Sequence, residues 1–254
     1  MTTVGDIYDA IDAFAPFGKA RPSDNCGITL GSRSLPVHRA LAVVDVTREI
    51  VREAARRGAD LIISHHPAIY APIKSIAAED PVFEAARNGI ALLAAHTNLD
   101  VADGGVNDAY LAAIGLEKLA PVEGTDGCAA LARCPEALSE LSALAARVKA
   151  CVGLPCVKLV DAGRKIKTAA VCCGGGASFF ECAVKSGADV FISGDFRHNH
   201  AVDALRLGVS LIDAGHYETE RLILDPLIDR LGRLFPDVPF ERAAADRPVF
   251  QYVV

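Results

Sequence analysis

Tryptophan is absent from this chain of 254 residues, methionine occurs once, and aromatic residues make up only 6%. That excludes a core built on large rings, as in an aromatic-rich β sandwich, and calls for helices packed on buried aliphatic strands. No apolar run approaches the roughly 20 residues a membrane-spanning helix needs. The first 20 residues lack the basic start and unbroken apolar stretch of a signal peptide, because Asp6, Asp9 and Asp12 interrupt them. The chain is therefore expected in the cytoplasm, away from membranes. Cys-x-x-Cys pairs are missing although there are eight cysteines, which removes the usual signature of a structural zinc knuckle. In a reducing compartment these cysteines are expected to serve as small buried apolar residues. Positive charge is also scarce, with 26 Lys and Arg against 32 Asp and Glu, a net charge of −6. A sequence-independent grip on nucleic acid works by displacing counterions with a basic surplus. Only the short stretches Arg52–Arg57 and Arg164–Lys167 are basic, so nucleic acid is not the expected partner.

What is present is ordinary for a globular protein: 51% hydrophobic and 23% charged residues. Short β-branched runs alternate with amphipathic stretches, the pattern of an α/β fold. Strands are expected at 41–46, 61–64, 90–95, 168–173, 190–193 and 209–213, with a terminal strand at 248–254. Thr47 and Asn107 are expected to cap helices reaching Arg57 and Ile114. Asp80-Pro81 should open a helix closed near Gly89. Further helices are expected at 135–148, after Gly174-Gly175-Gly176 to about Ser186, at 200–207, and at 218–231.

The two halves echo each other. Gly58-Ala59-Asp60 leads into Leu61–Ser64, and Gly187-Ala188-Asp189 leads into Val190–Ser193. Downstream, a glycine and an aliphatic run end at His96 in the first half and at His216 in the second. The order of these matches implies two related lobes, the first at 1–124 and the second at 125–245, with a strand at about 246–254 joining the first.

Polar groups cluster where the expected strands end, which is where open α/β sheets place their sites. His65 and His66 follow one strand, and neighbours on an extended chain point to opposite sides, so the pair suits two ions, or one ion with the other ring in a supporting role. Asp100, just past the strand that ends at His96, is a hard oxygen donor. If the chain is helical from His216, Glu220 falls one turn later on the same face, whereas Glu218 points away. Three imidazoles and two carboxylates suit Zn, Mn, Fe or Co ions and leave positions open for water. Gly194–His200 is a polar turn with His198 and His200, read as structural or substrate-contacting. The Gly174-Gly175-Gly176 run could cradle phosphate through backbone N–H groups, although it lacks the Gly-Lys-Ser/Thr of a phosphate-binding loop.

These strings, taken in order, resemble the dinuclear-metal-centre family labelled GTP cyclohydrolase 1 type 2, also called Nif-three-like. The resemblance rests on Asp24-Asn25-Cys26-Gly27, Ser64-His65-His66-Pro67, His96-Thr97-Asn98-Leu99-Asp100, Gly104-Gly105-Val106-Asn107-Asp108, Gly174-Gly175-Gly176, Gly194-Asp195, and Asp213-Ala214-Gly215-His216 with Glu220. It implies two α/β lobes with a two-metal site between them and a ring-shaped homohexamer. His66 and Asp100 would favour one ion, His65 and His216 the other, and Glu220 would be shared. The family often has Trp where this chain has Ser23, and a different histidine arrangement where it has His198-Asn199-His200. The implied activity is a metal-dependent hydrolase that directs metal-bound hydroxide at a nucleotide or related small molecule, with His96 and His198 as candidates for proton transfer. The competing expectation is a non-catalytic metal-binding or regulatory ring.

Overall fold

The computed structural model describes residues 1–253. In chain order its strands are β1 (Gly27–Leu30), β2 (Ala40–Val43), β3 (Leu61–Ser64), β4 (Ala91–Ala94), β5 (Glu117–Pro121), β6 (Ala130–Arg133), β7 (Lys158–Val160), β8 (Thr168–Val171), β9 (Val190–Ser193), β10 (Ser210–Asp213) and β11 (Phe240–Arg242). The helices are α1 (Val4–Phe14), α2 (Arg48–Arg57), α3 (Pro81–Arg87), α4 (Thr97–Asp100), α5 (Val106–Ile114), α6 (Leu141–Val152), α7 (Phe180–Lys185), α8 (His198–Leu207), α9 (His216–Glu220) and α10 (Leu224–Leu234). The chain forms two compact units, Met1–Asp103 with Ile223–Val249, and Gly104–Leu222 with the residues from Phe250 onward.

The first unit is built on a sheet of order β1-β4-β3-β2-β11, parallel except for the antiparallel edge strand β1. β2, β3 and β4 are buried along their whole length, and that two-sided burial is why they read as unbroken aliphatic runs. Leu41, Ile62 and Leu92 pack against Ile50, Val51 and Ala54 of α2 and Val82 and Ala85 of α3. Each fully buried side chain of this size contributes on the order of 1.5–3 kcal/mol. Thr47 caps α2 by accepting from the Ile50 N–H, and Gly58 ends it in the left-handed region at φ +65°. Asp80 caps α3 in the same way, with Pro81 at its first position. Arginine side chains from α2 (Arg48 and Arg52) converge on Glu84 of α3.

The second unit has a sheet of order β5-β6-β8-β9-β10-β7, in which β8, β9 and β10 are parallel and the outer strands antiparallel. Its core gathers Ala170, Phe191 and Leu211 from the sheet with Phe180, Ala183 and Ala204 from α7 and α8. The two Gly-Ala-Asp strings do the same job in both units. Asp60 accepts from the His38 and Arg39 N–H groups, and Asp189 from those of Lys167 and Thr168. Each carboxylate thereby pins the entrance of the strand beside its own.

Several elements differ from the sequence reading. The return to the first unit begins at Ile223, so the boundary near 245 is placed too late; 240–242 form the added edge strand, and 248–253 form none. The helix expected at 218–231 is broken into α9, a short 3-10 turn at Arg221–Ile223, and α10. The helix expected at 135–148 begins as a 3-10 turn at Glu136–Leu138 and becomes α6 only from Leu141. Asn107 does not cap α5, which starts at Val106. Its buried amide instead donates to the Cys128 carbonyl at 2.9 Å and accepts from the Cys173 N–H at 3.0 Å. Of the cysteines, Cys128, Cys134, Cys172 and Cys173 are buried, whereas Cys156 is exposed.

Candidate metal centre

In the first unit, the parallel pairing of β3 with β4 brings two strand ends together. The ladder continues past both: His65 and His66 donate from their backbone N–H groups to Val43 and Val44, and Ala95 donates to Ser64. His65, His66 and His96 therefore emerge side by side. Their ring centroids lie 5.1 to 5.4 Å apart, and one nitrogen of each falls within 4.8 Å of the others. The single turn of α4 then delivers Asp100, with its Oδ1 3.6 Å from His65 Nε2.

Every one of these rings is tied down through Nδ1. His65 Nδ1 donates to the buried Ala95 carbonyl at 3.0 Å, His66 Nδ1 to Asp45 at 2.8 Å, and His96 Nδ1 to Asp24 at 2.9 Å. Carbonyls and carboxylates only accept, so the proton sits on Nδ1 and a neutral ring keeps Nε2 bare. That is the tautomer a metal-ligating histidine adopts, held by the outer partner that raises its basicity. Asp24 is itself strongly fixed. Burial works against its charge, but hydrogen bonds from His96, Thr97 and Cys26 outweigh that and hold its carboxyl well below the usual range. The same burial and the neighbouring Asp24 push the Cys26 thiol up to about 11, so Cys26 stays a thiol at neutral pH.

The second unit carries a matching arrangement at the end of β10. Gly215 turns the chain at φ +81°, and α9 starts at His216. His216 and Glu220 share a face, with Nε2 and Oε1 3.2 Å apart. His216 Nδ1 donates to Asp195 at 2.7 Å, which again leaves Nε2 for a ligand role. Glu220 is buried beneath the Gly174 turn. A Cβ on Gly174 would lie 1.9 Å from Glu220 Oε1, and the residue sits at φ +67°. Gly176 is equally constrained, because a Cβ there would come within 2.6 Å of Cys172 and Ser193. The Gly174-Gly175-Gly176 run thus gives close approach to a carboxylate and to a neighbouring strand. The first turn of α9 is not solvated as a surface turn would be. Glu218, Thr219 and Glu220 are all buried, and Glu218 fills the space a side chain at Gly215 would need.

His198 is placed differently from the other histidines. It opens α8, is exposed, and lines a separate cavity of this unit. Sequence reading did not single out Asp24, Asp45 and Asp195 as the groups that orient these rings. The only local trace of Asp195 was its place in the Gly194–His200 turn. The donor set, imidazole Nε2 with carboxylate oxygens and no thiolate, fits divalent cations such as Zn or Mn.

Two α/β units, one presenting three oriented histidines with Asp100 and the other His216 with Glu220, carry at the ends of parallel strands side chains that could hold a metal ion. The sequence model of the Duf34/NIF3 family (NGG1p interacting factor 3) matches residues 2–247, and the chain belongs to that family. It is 29% identical over 260 residues to a "GTP cyclohydrolase 1 type 2 homolog" of Clostridium perfringens, covering 98% of this chain and 99% of that protein. A protein of the same description from Streptomyces coelicolor is 33% identical over 254 residues, covering 91% and 89%. Among solved structures, the Staphylococcus aureus hypothetical protein SA1388 superposes with a TM-score of 0.90 at 28% identity over 99% of both chains. HcgD from Methanocaldococcus jannaschii, at 24% identity and a TM-score of 0.84 over 95% and 98% of the chains, shares the fold. Among the described residues no helix is long and apolar enough to cross a membrane.

Proposed function

We propose that this protein is a metal-dependent hydrolase in which His65, His66, Asp100, His216 and Glu220 hold two divalent ions and act on a nucleotide or related small molecule. The observation that carries the reading is the common state of the three proposed imidazole ligands. His65, His66 and His216 each have Nδ1 bonded to an acceptor, and an imidazole so fixed is preorganised to bind through Nε2. Relatives described as GTP cyclohydrolase 1 type 2 homologs support the choice of substrate class.

When bound, ions in such a site supply Lewis-acid polarisation of the substrate and lower the pKa of water. The chain's own residues do the rest. Asp45 and Asp195 fix the rings of His66 and His216. His96, its Nδ1 proton committed to Asp24, offers Nε2 as the atom that would take a proton and return it to a leaving nitrogen. In ring opening of a guanine nucleotide, the nitrogen that leaves carbon must gain a proton as the C–N bond breaks. Glu220, buried against Gly174, has little room to swing away and keeps its carboxylate in one place.

The test combines metal analysis of freshly purified protein with assay of formate release from GTP and a nucleotide panel. His65→Ala and Glu220→Ala are expected to lower metal content sharply while the protein stays folded, and His96→Ala to keep metal but lose turnover. Unchanged metal in the first two variants overturns the ligand assignment. Full metal occupancy with no turnover on any nucleotide favours a metal-binding or regulatory protein instead.

A further inference from the structure

We propose that the second unit binds the monophosphate and ring of a mononucleotide in a cavity between the start of α8 and the β7–β10 edge. This inference rests on the nucleotide reading above and names the surface that would hold that substrate. The cavity has a volume of about 300 Å³, at the small end of ligand pockets.

Its floor follows from strand register. β7 pairs antiparallel with β10, setting Lys158 opposite Asp213 and Val160 opposite Leu211. Directly opposed residues, and residues two apart, share a face of the sheet. The floor is therefore apolar at Val160 and Leu211 and ionic at Lys158–Asp213, where Nζ and Oδ2 are 2.6 Å apart. The wall is Phe196, held edge-on against Phe191 at 5.4 Å between centroids, with Arg197 and His198 beside it at the head of α8.

This combination selects a chemistry. Asp213 is nearly buried and pairs with the single charge of Lys158, whose side chain is 77% exposed and whose ammonium keeps further N–H donors. Arg197 and His198 are exposed, and among the described residues no carboxylate pairs with Arg197. Arg197 and His198 at the head of α8, with the Lys158 ammonium lining the same cavity, suit a tetrahedral anion, with the guanidinium offering a bidentate fork. The aromatic and aliphatic surface beside them suits the face of a flat ring, and the Asp213 carboxylate can accept from a ring N–H. Position strengthens the case. Phe196 directly follows Asp195, the residue that orients His216, and Asp213 precedes His216 by three positions, a span of roughly 10 Å at most. The cavity's Phe196 and Asp213 thus lie close along the chain to Asp195 and His216, neither of which lines it.

Calorimetric titration of the full chain, with and without a chelator, tests the assignment using GMP, guanosine and inorganic phosphate. GMP is expected to bind saturably and at least ten times more tightly than either of the other two. Lys158→Ala and Arg197→Ala, both at exposed side chains, are each expected to weaken GMP about ten-fold while leaving the protein folded and its metal content unchanged. Absence of saturable GMP binding, equal affinity for phosphate and GMP, or unaltered GMP affinity in both variants overturns it. The readout needs no turnover. GMP binding that depends on Lys158 and Arg197 in a protein that never hydrolyses GTP would sustain this inference and sink the hydrolase reading; bound metal and turnover without GMP binding at this cavity would do the opposite.

Discussion

His216 donates from Nδ1 to the carboxylate of Asp195 at 2.7 Å, although the two residues are 21 positions apart. The relationship recurs between His66 and Asp45 at 2.8 Å, again at a separation of 21. Removing such an outer partner typically lowers metal affinity 10- to 100-fold. Asp195→Ala and Asp45→Ala are each expected to show a loss of that order in competition with a chromophoric chelator. Asp195 is exposed and Asp45 half-buried, so their melting temperatures should change little. Wild-type metal affinity in both variants would remove the orienting role.

Gly174→Ala and Gly58→Ala separate two effects of a side chain at positive φ. Gly58 sits at φ +65° with nothing within 4 Å of an added Cβ. Its replacement is expected to cost about 1–2 kcal/mol of backbone strain and leave metal content intact. At Gly174 the strain is similar, but the new Cβ falls on Glu220. That variant is expected to lose metal as well as stability, measured by thermal unfolding and elemental analysis. Equal metal content in the two variants would break the link between Gly174 and Glu220.

Asn107 is predicted to be intolerant of truncation. Its amide satisfies one buried carbonyl and one buried N–H, and each buried group left unpaired costs roughly 1–3 kcal/mol. Asn107→Ala should therefore unfold at distinctly lower urea concentration, with an unchanged slope. A midpoint matching wild type would mean that water replaces the amide on both sides.

Glu53 supplies a pH prediction. Burial works against its charge, but N–H groups of Ala244 and Ala245 and the Arg57 guanidinium together hold its carboxyl below the usual value of 4.5. A folded-state value below the unfolded one stabilises fully above about pH 4.5 and fades as pH falls through the folded value. Wild type should therefore lose more stability than Glu53→Gln on acidification from pH 6 to pH 3, and the variant should already be weaker at pH 7. Parallel melting curves for the two proteins across that range would contradict the assignment.

The legible parts of this chain were those with local signals. Thr47, Asp80-Pro81 and Gly58 announced helix ends, and unbroken aliphatic runs announced the buried parallel strands. The histidines and carboxylates stood out because they follow those runs directly. Edge strands were not legible. β5 is exposed at every residue, and β7 and β11 have three residues each, so neither alternation nor length distinguishes them from loop. The Asp24–His96 bond spans 72 positions, and no spacing rule connects a carboxylate to a ring that far away. The break after Glu220 was hidden because 218–231 keeps a helical composition across the 3-10 turn.

The parallel pairing of β11 with β2, Phe240 beside Ala40 and Arg242 beside Ala42, sets a timetable for biosynthesis. While a ribosome is still translating the middle of the message, the outer rim of β2 has no neighbour, and its unmet amides and carbonyls form a template for pairing with other nascent chains. Messages truncated before codon 240 should yield protein that is recovered chiefly in inclusion bodies or bound to chaperones.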